Sequence, residues 1–431
     1  MAPVAPLTPG YRATPYWWDD VDLPQPAPVP LPAEADVAVV GGGYTGLAAA
    51  LELARAGRHA VVLERDDIAA GASSRNGGMA HPGGKLALPD ILARPGGRAV
   101  WDETVAAFEG VETLCAELGA DCDWRRSGHL ELAHHPRSAA RLRTVADAHD
   151  AVGEEARFIG PEELAAEIGS RRFDGGLLVS RSGGLHPAKF AAGLARGAAA
   201  AGADLHGATT VLALRAKRPG FVVETSRGVV RCGEVVVATN GTTDRRLVPW
   251  LGRRVLGIGS FIIATEPLAP EVAASVSPRG RMFFDTRNLL HYWRLSPDGR
   301  RVLFGGRTSL SPTTVEQARD RLYRAMVVVH PQLAGVRVDR AWGGAVALTA
   351  DRLPHVGRHP GTGVVYAMGY CGSGVALATH LGRSVGRWIG SGGGPPALAG
   401  GAWPRTPWPA RVPALLALGG WWYRARDGLG R

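Results

Sequence analysis

Apolar and polar positions alternate with more than one period along this chain. Residues 37–40 (VAVV) form a continuous apolar run, as a strand buried on both faces requires. A glycine-rich turn follows, and residues 47–56 are then Ala/Leu-rich, a helical composition that Gly57 ends. Residues 59–63 read as the next strand. A related strand, glycine turn and helix begins at Gly361, with its helix starting near Val375. In between, 185–203 reads as a helix. Residues 209–241 read as three short strands, the last at 234–238, running into TNG. Residues 98–170 alternate helical segments with a hairpin-like piece, DWRRSGHLELA. Residues 255–345 carry short antiparallel-type strands with one helix at 315–330.

The pattern predicts an α/β fold with an α+β second domain. A nucleotide-binding, Rossmann-like domain is interleaved in sequence with a domain built on an antiparallel sheet. The expected boundaries are 34–100, 185–254 and 345–395 for the first domain, and 101–184 and 255–344 for the second. Residues 1–33 form an arm with nine prolines, and 396–431 form a Gly/Pro-rich, then apolar, tail. The aromatics of PYWWDD in the arm are expected to dock on the body of the protein, and the tail likewise.

The first turn carries G-x-G-x-x-G at Gly41, Gly43 and Gly46. Gly41 permits the tight turn, Gly43 lets backbone approach a pyrophosphate, and Gly46 lets the helix close on the strand. Glu64 ends the second strand, where a carboxylate accepts hydrogen bonds from ribose hydroxyls and repels a 2′-phosphate. That disfavours NADP and leaves NAD and FAD. The late unit separates those two. Gly369, Gly372 and Gly374 open a helix whose free N–H groups make a second positive pole. FAD has an acceptor end for such a pole, because its ring accumulates negative charge near N1 on reduction. NAD has none.

Composition narrows the class. The 431 residues are 45% hydrophobic and 20% charged, with no apolar run long enough to span a membrane. Net charge is +10, nearly all from arginine; lysine occurs only at Lys85, Lys189 and Lys217. The arginines form no stripe, so no nucleic-acid partner is expected. Four cysteines, none in C-x-x-C, suit a reducing compartment. His134 and His135 lack a third ligand at metal spacing, so no metal is expected. The start, MAPVAPL, lacks the basic and apolar segments of a signal peptide, and a cytoplasmic location is expected.

Seven segments in order, PYWW, GGGYTGLAAALELA, GASSRNGGM, LHPAKFAAGLARGA, VVVATNG, WGGAVALTADRLPHVG and GYCGSGVALATHLGR, resemble the FAD-dependent oxidoreductases of the D-amino acid oxidase and glycine oxidase superfamily. Within it the likeness is to the gamma-glutamylputrescine oxidase branch. The resemblance implies FAD contacts from Tyr44, Thr45 and Arg65 beside the glycines and Glu64. It implies that Ser73, Ser74, Asn76, Gly77, Gly78 and Met79 wrap the pyrophosphate and ring. Ser74 and Met79 depart from that branch, which usually has glycine and glutamine there. Val211 is placed at the adenine, and Ala238, Thr239, Asn240 and Gly241 over the ADP half. Gly344, Gly372, Ser373, Gly374 and Val375 fall at the flavin.

Three absences sharpen the expectation. Relatives with histidine-linked flavin carry the histidine where Asn76 stands, and cysteine-linked relatives carry theirs near residues 345–347, where none occurs. FAD is therefore expected to be non-covalent. The arginine that clamps the substrate carboxylate in glycine oxidase-like enzymes falls at Val346, and valine makes no bidentate clamp. The lysine that activates oxygen in sarcosine oxidase-like enzymes falls at Leu303 or Phe304, so oxygen or another electron acceptor stays open. The expected reaction is oxidation of an amine C–N bond by hydride transfer to flavin N5, the imine then hydrolysing to an aldehyde. A gamma-glutamylputrescine-like or other secondary or primary amine is expected. The alternatives are an amino acid oxidase or N-demethylating dehydrogenase of the same fold, or a non-catalytic flavin-binding subunit. Tyr292, His291, His355 and Tyr370 are the candidate catalytic and substrate-side residues, with Trp293 beside them.

Overall fold

The computed structural model describes residues 4–24, 29–307, 310–399, 401–406 and 413–428. Parts of the expected arm (1–3 and 25–28) and tail (400, 407–412 and 429–431) lie outside the described residues.

The buried run predicted at 37–40 ends a longer strand, Glu34–Val40, which pairs in parallel with Ala60–Leu63 on one side and Gly228–Val237 on the other. Asp204–His206 extends the sheet beyond Ala60–Leu63, and Val365–Met368 joins the far end of Gly228–Val237, both in parallel. The helices Tyr44–Arg55 and Gly374–Gly390 thus leave from strands on either side of Gly228–Val237. They pack closely together because Gly382 and Gly386 have no side chain. A Cβ on Gly382 would stand 2.4 Å from Thr45 O, and one on Gly386 2.6 Å from Ala49 O. The two predicted glycine turns are neighbours in space for that reason.

Among the described residues the second sheet has nine strands. Its centre runs Val338–Leu348, Leu256–Thr265, Val302–Gly306, His291–Leu295 and Met282–Asp285, all antiparallel. The mixed α/β architecture with an antiparallel second sheet is the one the pattern predicts. Trp293, Phe283 and Phe304 stack behind it in a buried core, with ring centroids 5.3 Å and 5.4 Å apart.

Packing differs from the expected boundaries in two places. Leu7–Arg12 of the arm pairs with Val338–Leu348, so this part of the arm is an edge strand of the nine-stranded sheet. Helix Gly97–Glu117, expected mostly in the second domain, turns Ala107, Phe108, Val111 and Leu114 into the core around the parallel sheet. Its apolar face is set by sequence; which sheet it meets is set by tertiary packing, which sequence period does not report.

Gly382→Leu is expected to lower stability by about 1–3 kcal/mol, read by denaturant unfolding, because the side chain meets backbone and not a movable tip. Gly394→Ala, with nothing within 4 Å, is the control and stays within about 0.5 kcal/mol.

Candidate functional site

One cavity of about 1060 Å³ runs from Glu64 and Val211 past both glycine turns to Tyr423 and Arg426 of the C-terminal helix Pro413–Gly428. Pockets for drug-sized ligands run to roughly 300–1,000 Å³. This one is at the top of that range.

At the first end the backbone is shaped for close approach. Gly41 has φ +108, and a Cβ there would meet Ala238 O at 2.9 Å. A Cβ on Gly43 would meet Ser73 Oγ at 2.8 Å, and Ser73 Oγ accepts a hydrogen bond from Tyr44 N at 2.9 Å. Glu64 braces the turn: its carboxylate accepts from Gly42 N at 2.7 Å and from Asp66 N at 3.0 Å. Gly46 does not line the cavity; a Cβ there would stand 1.9 Å from Gly41 O, so its role is helix-to-turn packing.

Residues 72–79 form the middle wall. Asn76 folds back on it, donating to Ser73 O at 2.9 Å and accepting from Gly78 N at 2.8 Å. The loop's own carbonyls are held from outside. Trp17 Nε1 donates to Asn76 O at 2.8 Å, Trp342 Nε1 to Arg75 O at 2.8 Å, and Arg294 Nη1 to Gly78 O at 2.9 Å. The docked aromatics of the arm are thus structural supports of the wall. Ser74 lies behind it, donating to Ala69 O at 2.7 Å and accepting from Trp18 Nε1 at 3.0 Å. Gly78 is also off the cavity: with φ +66, a Cβ there would meet Leu185 O at 2.1 Å.

The late turn closes the other side. Asn240 Oδ1 accepts from Gly369 N at 2.9 Å, tying the segment after Gly228–Val237 to this turn. Arg65, Met79, Thr239, Gly241, Gly344, Ser373 and Val375 all line the cavity with these glycines. Tyr370 lines it too, but its hydroxyl shares a hydrogen bond with Thr45 Oγ1 at 2.7 Å, and burial pushes its pKa up.

Of the substrate-side candidates only Tyr292 and Tyr370 reach the cavity. The Tyr292 ring packs 3.1 Å from where a Gly77 Cβ would stand, and its hydroxyl lies 3.3 Å from Ser260 Oγ. Strand alternation turns His291 and Trp293 away. His291 sits 3.2 Å from the Asp285 carboxylate, and Trp293 is in the core behind the sheet. His355 stacks on Trp403 with centroids 4.5 Å apart and bonds Asp351 at 3.0 Å, off the cavity wall. Val346 does line it, whereas Leu303 and Phe304 are core residues.

Sequence reasoning missed a charged group beyond Tyr292. Lys85, Arg307, Arg352 and Glu131 line the cavity, contributed by four separate segments. Arg307 Nη2 donates to Cys371 O at 3.2 Å. Burial, and then the Arg307 and Arg352 charges against the pull of Glu131, bring the Lys85 pKa down to about 8. Burial raises Glu131, and Lys85 opposes it. The one signal in the sequence was Lys85 itself, one of three lysines in a chain with 49 Lys plus Arg.

Among the described residues no group of His, Cys, Asp or Glu is arranged to hold a metal, and no helix is long and apolar enough to cross a membrane. A family model described as FAD dependent oxidoreductase matches residues 36–388. The gamma-glutamylputrescine oxidoreductase of Escherichia coli is 33% identical over 403 residues, covering 92% of this chain and 93% of the relative. A probable oxidoreductase, OrdL, of Haemophilus influenzae is 33% identical over 358 residues, 81% of each chain. Glycine oxidase from Geobacillus kaustophilus has a similar structure, with TM-score 0.71, 23% identity, and coverage of 83% of this chain and 95% of that one.

A lysine held near 8 against an ordinary 10.5 is destabilising wherever it stays charged. The unfolded chain binds the extra proton between those values, so stability rises with pH across that window. Lys85→Met is therefore expected to raise the melting temperature at pH 7. Its advantage should shrink as pH rises from about 8 to 10.5, as differential scanning calorimetry over that range would show.

Proposed function

The chain belongs to the FAD-dependent oxidoreductase family, and on that premise we propose that it oxidises the C–N bond of an amine, with FAD held without a covalent link. The amine is gamma-glutamylputrescine-like or another secondary or primary amine, and the imine formed hydrolyses to an aldehyde. The observation that carries this reading is the chamber continuing past the two glycine turns, walled by Val346 and by Tyr292, whose ring lies next to Gly77. The likeness to a gamma-glutamylputrescine oxidoreductase along nearly the full length of both chains supports it.

The residues present suit FAD. Gly41 and Gly43 sit where a Cβ would touch neighbouring atoms, which leaves bare backbone for a pyrophosphate. Glu64, though it braces the turn, retains lone pairs towards the cavity for ribose hydroxyls. Gly77, Gly344 and Gly372 leave backbone for a planar ring, and the helix Gly374–Gly390 points its positive end at the same space. When bound there, FAD supplies the electron sink for the reaction.

The protein's own part is placement. Tyr292 and Val346 bound the chamber in which an amine carbon must face the ring at about 3–3.5 Å. Val346 provides no carboxylate clamp beside that carbon. The amine nitrogen needs only to be neutral, so no acid–base dyad is required of the wall. Asn76 occupies the position of a linking histidine and is spent on loop bonds. A cytoplasmic location accompanies this reading.

The test is anaerobic mixing of the yellow protein with a panel of amines and amino acids. Bleaching of the visible flavin band by one amine class is expected, and readmitting air then separates oxygen from another acceptor. A flavin that dithionite reduces and no amine does would overturn the proposal. Acid precipitation is expected to leave all the flavin in the supernatant; colour in the pellet would disprove the non-covalent mode. Tyr292→Phe should retain full flavin content and lose about tenfold in kcat/KM, about 1.4 kcal/mol.

A further inference from the structure

We propose that Cys115 and Cys122 are a site of reversible oxidation, a dithiol that a hydroperoxide converts into a disulfide bond. The site lies off the cavity wall, and the inference stands whichever amine the protein oxidises.

The local fold brings the two sulfurs together. Cys115 occupies the last turn of helix Gly97–Glu117. Gly119, with φ +56, ends that helix in the left-handed conformation, and Ala120 N donates to Cys115 O at 3.0 Å. The chain thereby reverses and returns Cys122 to Cys115, where their Sγ atoms share a hydrogen bond at 2.6 Å. About 0.6 Å separates that contact from a bonded pair. The turn is seated on helix Pro187–Ala200: a Cβ on Gly193 would stand 2.6 Å from Ala120 Cβ, and one on Gly197 would strike Leu118. Glu117 fixes the helix end, pairing with Arg55 and with Arg383 at 3.3 Å each. On the other side Cys122 O accepts from His186 N at 2.7 Å, and Asp123 pairs with Lys189 at 2.9 Å. The two cysteines are therefore held face to face from both sides.

Enclosure selects the reagent. Cys115 is 7% exposed and Cys122 2%, so what reaches them is small, and hydrogen peroxide is little larger than water. Their mutual hydrogen bond lowers the Cys122 pKa and raises that of Cys115, which makes Cys122 the attacking thiolate. Cys122 attacks one oxygen of the peroxide, the O–O bond breaks, and the departing hydroxide takes the Cys122 proton and leaves as water. Cys115 then attacks the sulfenic sulfur of Cys122: the S–S bond forms, the S–O bond breaks, and the Cys115 proton leaves in a second water. Two thiols are oxidised and one peroxide is reduced. Neither Cys232 nor Cys371 meets another cysteine, and burial raises the pKa of both, so they are left as thiols. The new bond ties the helix end to residues 122–125. Arg125 exchanges two backbone hydrogen bonds of 2.9 Å with Gly184, which pairs in turn with Met79 of the cavity wall. Oxidation thus staples the backing of that wall.

The experiment treats the purified flavin-loaded protein with hydrogen peroxide, removes the excess, and counts thiols after unfolding. The count is expected to fall from four per chain to two and to return to four with dithiothreitol. Cleavage after Glu117 parts the two cysteines, so the oxidised chain should yield one joined pair of peptides, lighter than the separate peptides by two hydrogen atoms. Closing this short loop is expected to raise the melting temperature by about 3 °C. Cys122→Ser should keep its three remaining thiols and show no such rise, whereas Cys232→Ser should still lose two. Retention of all four thiols by the wild type would overturn the proposal. So would a disulfide to Cys232 or Cys371, oxidation of Cys122 to an acid that dithiothreitol does not reverse, or an unchanged melting temperature in the joined form. The wild-type thiol count and peptide map decide the matter even if Cys122→Ser does not fold.

Discussion

A wall that must present bare backbone to a planar ligand cannot hold itself in place. Residues 75–78 meet this difficulty by handing their carbonyls to donors elsewhere: Trp17 from the arm, Trp342 and Arg294 from the nine-stranded sheet. Each buried carbonyl left without its donor would cost about 1–3 kcal/mol, so the three bonds are a substantial joint. They are also what fastens the two sheets to each other at the site. The glycine turns belong to the parallel sheet, two of the supports belong to the nine-stranded one and the third to the arm, and the loop is the seam.

The site divides its work accordingly. Along the two glycine turns the walls are glycine, small residues and backbone, and Glu64 is tied into the first turn. Beyond Tyr292 the character changes to side chains with charge, in Lys85, Glu131, Arg307 and Arg352. The tail helix borders this second region through Tyr423 and Arg426. It is tethered there by the Asp427 carboxylate, which accepts from Asn288 Nδ2 at 2.7 Å and Asn288 N at 2.8 Å.

The two halves of the site were unequally legible in the sequence. Gly41, Gly43, Gly372 and Gly374 could be read because a close approach demands a residue type at a fixed local spacing. The aromatics at 16–18 could be read as docked, yet their acceptors could not, since a carbonyl leaves no mark in a sequence. His291 and Tyr292 were proposed together, although adjacent strand residues face opposite ways and only one could enter the cavity. His355 was a candidate for the substrate side and is committed to Asp351 and Trp403. The cationic group left one mark in the sequence, the rare Lys85, and nothing that joined it to the others. Its members come from the loop after Met79–Ala80, the end of Val302–Gly306, the turn after Val338–Leu348, and His129–Leu132 for its acid; no periodicity links such distant positions. Helix Gly97–Glu117 was foreseen as a helix and misplaced for the same reason.

The order of strands in the parallel sheet has a consequence for how the protein is made. Glu34–Val40 and its glycine turn leave the ribosome long before Val365–Met368, two strands away in the sheet. The chain must be synthesised through Met368 before the sheet is complete and its second turn stands opposite the first. Contacts this distant in sequence close slowly. The nascent first half therefore exposes a row of Val and Ala with no finished partner, a period in which chaperone capture competes with self-association. Cofactor loading belongs after that interval, when a released chain has brought its two glycine turns to the same cleft.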